Sequence, residues 1–316
     1  MINDNHSFDD DYRRLIHCFL NDDAQSAYEI ITNGSNIPKY FKNIPSGFRC
    51  FGRLPIPFLN MAASLGAYEC VLMLLDQDVD INGEDGIGNL VTHSSCFSGN
   101  LKIVKLIDEY GCDFTLENKN EELPIHSAAE NNQIEVVHYL LENDISCIDH
   151  TNCFLMTPLS IAIQNNYYQL SKTLISYNSD LNVYDENHNT LIHFAVMKSS
   201  IEMVSFLLSF KKIPIDAHNF QGETSLLLAA KKGNIEIMKL LIQKGADFTL
   251  TDYKKKTLLL CSIESNNIDA VKFVISLNIP NMLDIDINNV FLKNYIHHYT
   301  ILLKPDQWIY YILLHY

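Results

Sequence analysis

The chain runs to 316 residues, with 47% apolar and 19% charged side chains and only 12 Gly and 9 Pro. Such a composition can bury a sizeable core and excludes disorder as the dominant state. Against 23 Lys and Arg stand 38 Asp and Glu, and the resulting net charge of -15 repels phosphate backbones and argues against general nucleic-acid binding.

From the N-terminus, Tyr12 to Leu20 and Ala24 to Thr32 read as two short helices, followed by a linker marked by Pro38, Pro45, Pro55 and Pro57. Residues 1–50 are therefore expected to form an N-terminal helical cap or degenerate repeat with its linker. Asp4, Asp9, Asp10 and Asp11 occupy the place where a signal peptide needs a basic region and an apolar run. No apolar run reaches the roughly 18 residues of a spanning helix, so a soluble chain is expected.

A repeat occupies residues 51–280. Its anchors are Asn60, His93, His126, Ser160, His193, Leu227 and Leu260, spaced by 33 or 34 residues. Two residues after each comes Ala62, Ser95, Ala128, Ala162, Ala195, Ala229 or Ser262, a small side chain at every repeat, as close helix packing demands. Six residues after each lie Gly66, Gly99, Asn132, Asn166, Ser199, Gly233 and Asn266; Gly and Asn best tolerate a left-handed backbone, so a helix ends there. A second helix then opens on a mostly acidic set, Glu69, Lys102, Glu135, Gln169, Glu202, Glu236 and Asp269. Ile235, Ile237, Met238, Leu240, Leu241 and Ile242 fill one broad face of that helix in the sixth repeat. Gly-Ala-Asp-like segments such as Gly245-Ala246-Asp247 close the hairpin, and about ten residues rich in Asn, Asp and Gly lead to the next anchor.

These residues resemble the ankyrin repeats, whose unit of about 33 residues is a turn followed by two helices. The sixth repeat, Gly222-Glu223-Thr224-Ser225-Leu226-Leu227-Leu228-Ala229-Ala230 through Gly245-Ala246-Asp247, matches best; Leu123-Pro124-Ile125-His126, Thr157-Pro158-Leu159-Ser160 and Thr190-Leu191-Ile192-His193 support it. The second repeat departs with Val91-Thr92 in place of Pro-Leu, and the fifth ends in Lys211-Lys212-Ile213. The resemblance implies an all-α solenoid of stacked helix-turn-helix units with protruding loops. It also implies that Thr157, Thr190, Thr224 and Thr257 cap first helices while His93, His126 and His193 tie neighbouring loops. Residues 281–316 carry two further apolar segments around Lys304-Pro305-Asp306 and are expected to be a C-terminal cap or degenerate repeat.

Other chemistries find little support. Histidines at matching repeat positions lie on helices about 8–10 Å apart, whereas zinc holds its nitrogen donors at about 2.1 Å, so no shared metal is expected. Eight cysteines without a CxxC pair point to reduced thiols and an intracellular, cytoplasmic protein. Cys147 and Cys153 lack a neighbouring cation to activate them. Gly83, Gly86 and Gly88 lack the lysine and hydroxyl of a phosphate loop. No cofactor, small-molecule substrate or catalytic residue is expected.

Residues 51–218 hold 8 basic and 22 acidic side chains, and residues 219–280 hold 8 basic and 6 acidic, so an acidic body is joined to a mildly basic end. Three consecutive lysines, Lys254 to Lys256, are too few to make nucleic acid an expected partner. The family resemblance implies a non-catalytic scaffold, acting as a monomer, that binds one or more proteins in a concave groove and at loop tips; the charge favours a basic partner. Mapped position by position, the contact set is Glu117, Lys119, Tyr184, Glu186, His218, Phe220, Tyr253 and Lys254 at the tips, and Met61, Ser94, Phe97, Glu130, Phe194, Met197 and Lys231 on the first helices. An alternative is an adaptor whose segment 281–316 recruits a second component such as a ubiquitin ligase.

Overall fold

Apolar residues at helical spacing, punctuated by left-handed turns, place a short helical hairpin in every repeat. A computed structural model describes residues 4–33, 40–41, 54–77, 79–144 and 146–277, and its described part contains 16 helices. The chain divides into two compact units, Met1–Asp180 and Leu181–Tyr316.

In the first unit, α1 (Asp4–Leu20) and α2 (Ala24–Asn33) form the N-terminal pair, α1 starting eight residues earlier than its apolar spacing foretold. Four hairpins follow: α3 (Phe58–Ser64) with α4 (Tyr68–Leu75), α5 (Val91–Ser98) with α6 (Leu101–Glu109), α7 (Pro124–Glu130) with α8 (Ile134–Glu142), and α9 (Pro158–Gln164) with α10 (Tyr168–Ser176). First helices pack on first helices (α3 on α5, α5 on α7, α7 on α9), and second helices on second. The α1–α2 pair is tied to the first hairpin by Asp22, whose carboxylate accepts the Cys70 N–H at 3.0 Å near the start of α4. A short antiparallel pair, β1 (Tyr40–Phe41) with β2 (Ile56–Pro57), lies where the sequence reads as linker.

In the second unit, α11 (Leu191–Met197) pairs with α12 (Ile201–Leu207), α13 (Ser225–Lys231) with α14 (Ile235–Gln243), and α15 (Leu258–Glu264) with α16 (Ile268–Ser276). The same layering recurs, α11 on α13 on α15.

The small-residue register is the contact line of both stacks: all seven, from Ala62 to Ser262, are fully buried. Ser95 and Ser262 are accommodated by turning their hydroxyls onto the Thr92 and Leu259 carbonyl oxygens, at 2.9 and 2.8 Å, so neither of these hydroxyls is left bare in the contact. The turn register is left-handed in all seven repeats, Ser199 included, at φ between 55° and 75°. The segment 281–316 and the expected linker residues 42–53 lie outside the described residues.

Candidate functional site

Each loop is built around a buried Asx residue eight positions before the anchor: Asp85, Asn118, Asn152, Asp185, Asn219 and Asp252. Its side-chain oxygen accepts backbone N–H groups two and four residues on, as in Asp85 to Ile87 and Asn89 (2.9 and 2.8 Å) and Asn219 to Gln221 and Glu223 (both 3.0 Å). These Asx turns are chained sideways. In the first unit the Asn118 amide donates to Asn89 Oδ1 at 2.8 Å and to Glu122 Oε2 at 2.9 Å; in the second, Asn219 donates to Asn189 Oδ1 at 3.2 Å. The ladder is not among the sequence expectations, although an Asx at the same register of six successive repeats is its signal.

The anchor histidines His93, His126 and His193 are each held at both ring nitrogens. In His93, His126 and His193, Nδ1 accepts the backbone N–H of Leu90, Leu123 or Thr190 at 3.1–3.3 Å. That leaves the proton on Nε2, which donates to the carbonyl oxygen of Glu122, His150 or Glu223 in the following loop at 2.8–3.1 Å. Both nitrogens are thus occupied, and no lone pair is free for a metal ion. Burial depresses all three imidazoles, His126 to about 4. Thr157, Thr224 and Thr257 cap their helices, accepting the N–H three residues on. Thr190 differs: its hydroxyl lies 2.8 Å from His193 Nδ1, so it supports the ring.

Burial pushes the thiols of Cys18, Cys70, Cys96, Cys112 and Cys261 up, Cys70 and Cys261 to about 12, which disables them as nucleophiles at neutral pH. Cys147 and Cys153 are exposed.

The contact set separates by register. The position one residue after the anchor is buried in every repeat: Met61, Ser94 and Phe194, the last only 2% exposed, are core residues. This corrects their expected place on a contact surface, because side chains buried at that register have almost no area left to present. The position four residues after the anchor is buried at Ser64 in the first repeat but opens from the second repeat on, with Phe97 and Met197 half-buried and Glu130 and Lys231 exposed. Lys231 is engaged internally, its Nζ 2.7 Å from Glu223 Oε1.

At the tips, backbone N–H groups of one loop donate to carbonyls of the one before: Lys119 to Ile87 (2.9 Å) and Cys153 to Asn120 (2.9 Å) in the first unit, Phe220 to Asn187 (3.0 Å) and Tyr253 to Gln221 (3.1 Å) in the second. Gly222, at φ 78°, permits the last contact, since a Cβ there would come within 2.5 Å of the Tyr253 backbone nitrogen. Glu117 and Lys119 are exposed, Glu117 receiving His150 Nε2 at 2.9 Å. Glu186 and Lys254 are also exposed, while His218 is half-buried and its Nδ1 lies 2.9 Å from the Gly222 carbonyl oxygen. Tyr184, Phe220 and Tyr253 are 47%, 62% and 70% exposed. His188, absent from the contact set, stacks between Tyr184 and Phe220, with ring centroids 4.4 and 5.1 Å away.

This periodic hairpin-and-loop architecture is that of an ankyrin repeat protein. The family model for ankyrin repeats matches in overlapping windows, 58–152, 92–185, 126–217, 159–252 and 211–289, and the chain belongs to that family. A putative ankyrin repeat protein of Acanthamoeba polyphaga mimivirus is 24% identical over 251 residues, 77% of this chain and 32% of its own length. Palmitoyltransferase AKR1 of Lachancea kluyveri is 29% identical over 167 residues, 51% of this chain and 22% of its own, and the B-cell lymphoma 3 protein homolog of mouse is 24% identical over 168 residues, 51% and 38%. The chain thus spans well under half of each of these relatives. The crystal structure of the human ASB11 ankyrin repeat domain superposes with a TM-score of 0.60 at 22% identity, covering 68% of this chain and 96% of that one, which establishes the all-α ankyrin solenoid as the fold. Repeats of this family generally mediate protein–protein interaction. No described helix is long and apolar enough to cross a membrane.

Proposed function

We propose that the chain is a non-catalytic scaffold that holds a partner protein against its loop tips and the open position of its first helices. The observation that carries this reading is the division of labour within the period. The anchor and the residues beside it are consumed by packing and by the loop ladder. Phe97, Lys119 and Glu130 in the first unit, and Glu186, Met197, Phe220, Tyr253 and Lys254 in the second, keep exposed or half-exposed side chains, and they recur at fixed registers, so each unit offers a surface larger than one repeat. Residues 54–180 contain 4 basic and 18 acidic side chains, which favours a basic partner for that unit through long-range attraction. The free thiols agree with a reducing, cytoplasmic setting.

The test is affinity capture on the full chain at low and physiological salt, with each retained protein purified and re-measured as a binary complex. The expected result is a direct partner that loosens as salt rises and is weakened by Glu117→Gln with Glu130→Gln. A chain that retains no direct binary partner, or whose partner ignores every tip and open-position substitution, overturns the proposal.

A further inference from the structure

The second unit carries an exposed aromatic strip across three successive loops. Tyr184 and His188 come from the first, Phe220 and His218 from the second, and Tyr253 from the third. The rings stack at interplanar angles of 29° (Tyr184 on His188), 17° (His188 on Phe220) and 25° (His218 on Tyr253, centroids 6.5 Å apart). Stacking ring on ring uses their faces and turns edges outward, and it fixes side chains that would otherwise lose rotamer entropy on binding. Three large rings held this way in water are anchors without a burial partner among the described residues.

Charge selects the occupant. Glu186 holds the tip register in the first loop, where Phe220 and Tyr253 hold it in the second and third, and Lys254 and Lys255 follow Tyr253. All three charged side chains are exposed, and none makes an ion pair among the described residues. The strip therefore runs from a free carboxylate to two free ammonium groups. Its unit is almost neutral, residues 181–277 holding 11 basic and 10 acidic side chains, so no general charge repulsion opposes an acidic ligand there.

We infer that this strip docks an extended segment of a partner protein with an apolar or aromatic centre and acidic residues at the end that meets Lys254 and Lys255. The inference rests on the scaffold reading and assigns partner chemistry to one part of its surface. Loops borne on helices about 8–10 Å apart are crossed by roughly six residues of extended chain, at about 3.3 Å per residue.

The probe is a phage library of random 12-residue peptides, selected on the immobilised full chain after depletion on Phe220→Ala/Tyr253→Ala, two exposed sites whose truncation leaves the core untouched; circular dichroism checks that. Selected peptides are expected to share an apolar or aromatic block flanked on one side by Asp or Glu. By fluorescence anisotropy, a synthetic copy should lose at least tenfold in affinity on the double variant. It should lose about fivefold on Lys254→Glu/Lys255→Glu, which in turn should favour the copy with Lys in place of its acids. Peptides that bind the double variant undiminished, or are indifferent to the charge reversal, overturn the inference. So does Phe220- and Tyr253-dependent binding of phosphatidylcholine–phosphatidylserine vesicles, of poly(U), or of a second copy of the chain by sedimentation, without peptide selection. Because protein capture is read separately and reports also on Glu117 and Glu130, a failed strip with intact capture sinks this inference alone; loss of both sinks the scaffold reading.

Discussion

His126 Nε2 donates its proton to the carbonyl oxygen of His150 at 3.0 Å while its Nδ1 accepts the Leu123 N–H at 3.1 Å. One neutral imidazole therefore closes the start of its own helix and pins the following loop. Protonation would put a second N–H against the Leu123 N–H and charge a buried ring at once. Burial is the main reason the group is held down to about 4.

The consequence is a loss of stability in mild acid. The unfolded chain protonates these imidazoles near the ordinary value of about 6.5, whereas the folded chain resists until about pH 4 at His126. Between those limits the unfolded state binds more protons, so stability present at neutral pH falls as pH is lowered through the window. His126 alone accounts for about 3 kcal/mol at the acid end, and His93 and His193 shift in the same direction. Urea titrations at pH 7.0, 6.0, 5.0 and 4.5 should show a falling midpoint. A midpoint constant down to pH 4.5 contradicts the assigned tautomers.

Thr92 is buried in α5, and its hydroxyl has no hydrogen-bond partner among the described residues. It stands where the third and fourth repeats carry Ile125 and Leu159. An unsatisfied buried hydroxyl costs about 1–3 kcal/mol, and valine has nearly the same shape without it. Thr92→Val is expected to raise stability by about 1 kcal/mol, read as an increase in melting temperature. A decrease would show that the hydroxyl is satisfied in solution.

The hairpins were legible from sequence because their constraints are periodic: the small residue that lets helices touch and the left-handed turn recur at fixed offsets, so seven weak signals reinforce one another. Burial of individual side chains was less legible. Phe194 falls in the expected contact set because an aromatic residue reads the same whether it faces water or a neighbouring helix, and that choice is made by long-range packing. The Tyr184–His188–Phe220 stack joins loops more than thirty residues apart, so no local pattern encodes it. The lateral Asx ladder was visible in principle, but within a segment rich in Asn and Asp its register hides in composition.

Leu155 occupies the loop position where Gly88 and Gly222 stand in other repeats, at φ 57°. A branched side chain in the left-handed region costs about 1–2 kcal/mol, and its 42% exposure means little packing is lost on removing it. Leu155→Gly should gain roughly 0.5–1 kcal/mol after the greater chain entropy of glycine is deducted. A urea midpoint lower than that of the parent protein would show that Leu155 is held by packing.

Asn118 and Asp85 occupy the same register and differ in what their outer atom must do. Asp85 Oδ2 accepts from the Asn89 amide at 3.0 Å, so a carboxylate fits. The corresponding atom of Asn118 is a nitrogen that donates to Asn89 Oδ1 at 2.8 Å and Glu122 Oε2 at 2.9 Å, both acceptors. Asn118→Asp preserves the oxygen that receives the Asn120 and Glu122 N–H groups at 2.8 and 3.1 Å, but it sets an anion against a carboxylate and an amide oxygen. The expected cost at pH 7 is about 2–3 kcal/mol, the upper range for a buried polar group left facing its own kind. Acid should narrow the gap between Asn118→Asp and the parent protein, because protonating the introduced carboxyl group restores one donor. Paired urea titrations at pH 7 and pH 4.5 decide the matter: equal midpoints at pH 7 would mean that the ladder carries no orientation, and a deficit unchanged at pH 4.5 would assign the cost to shape rather than to charge.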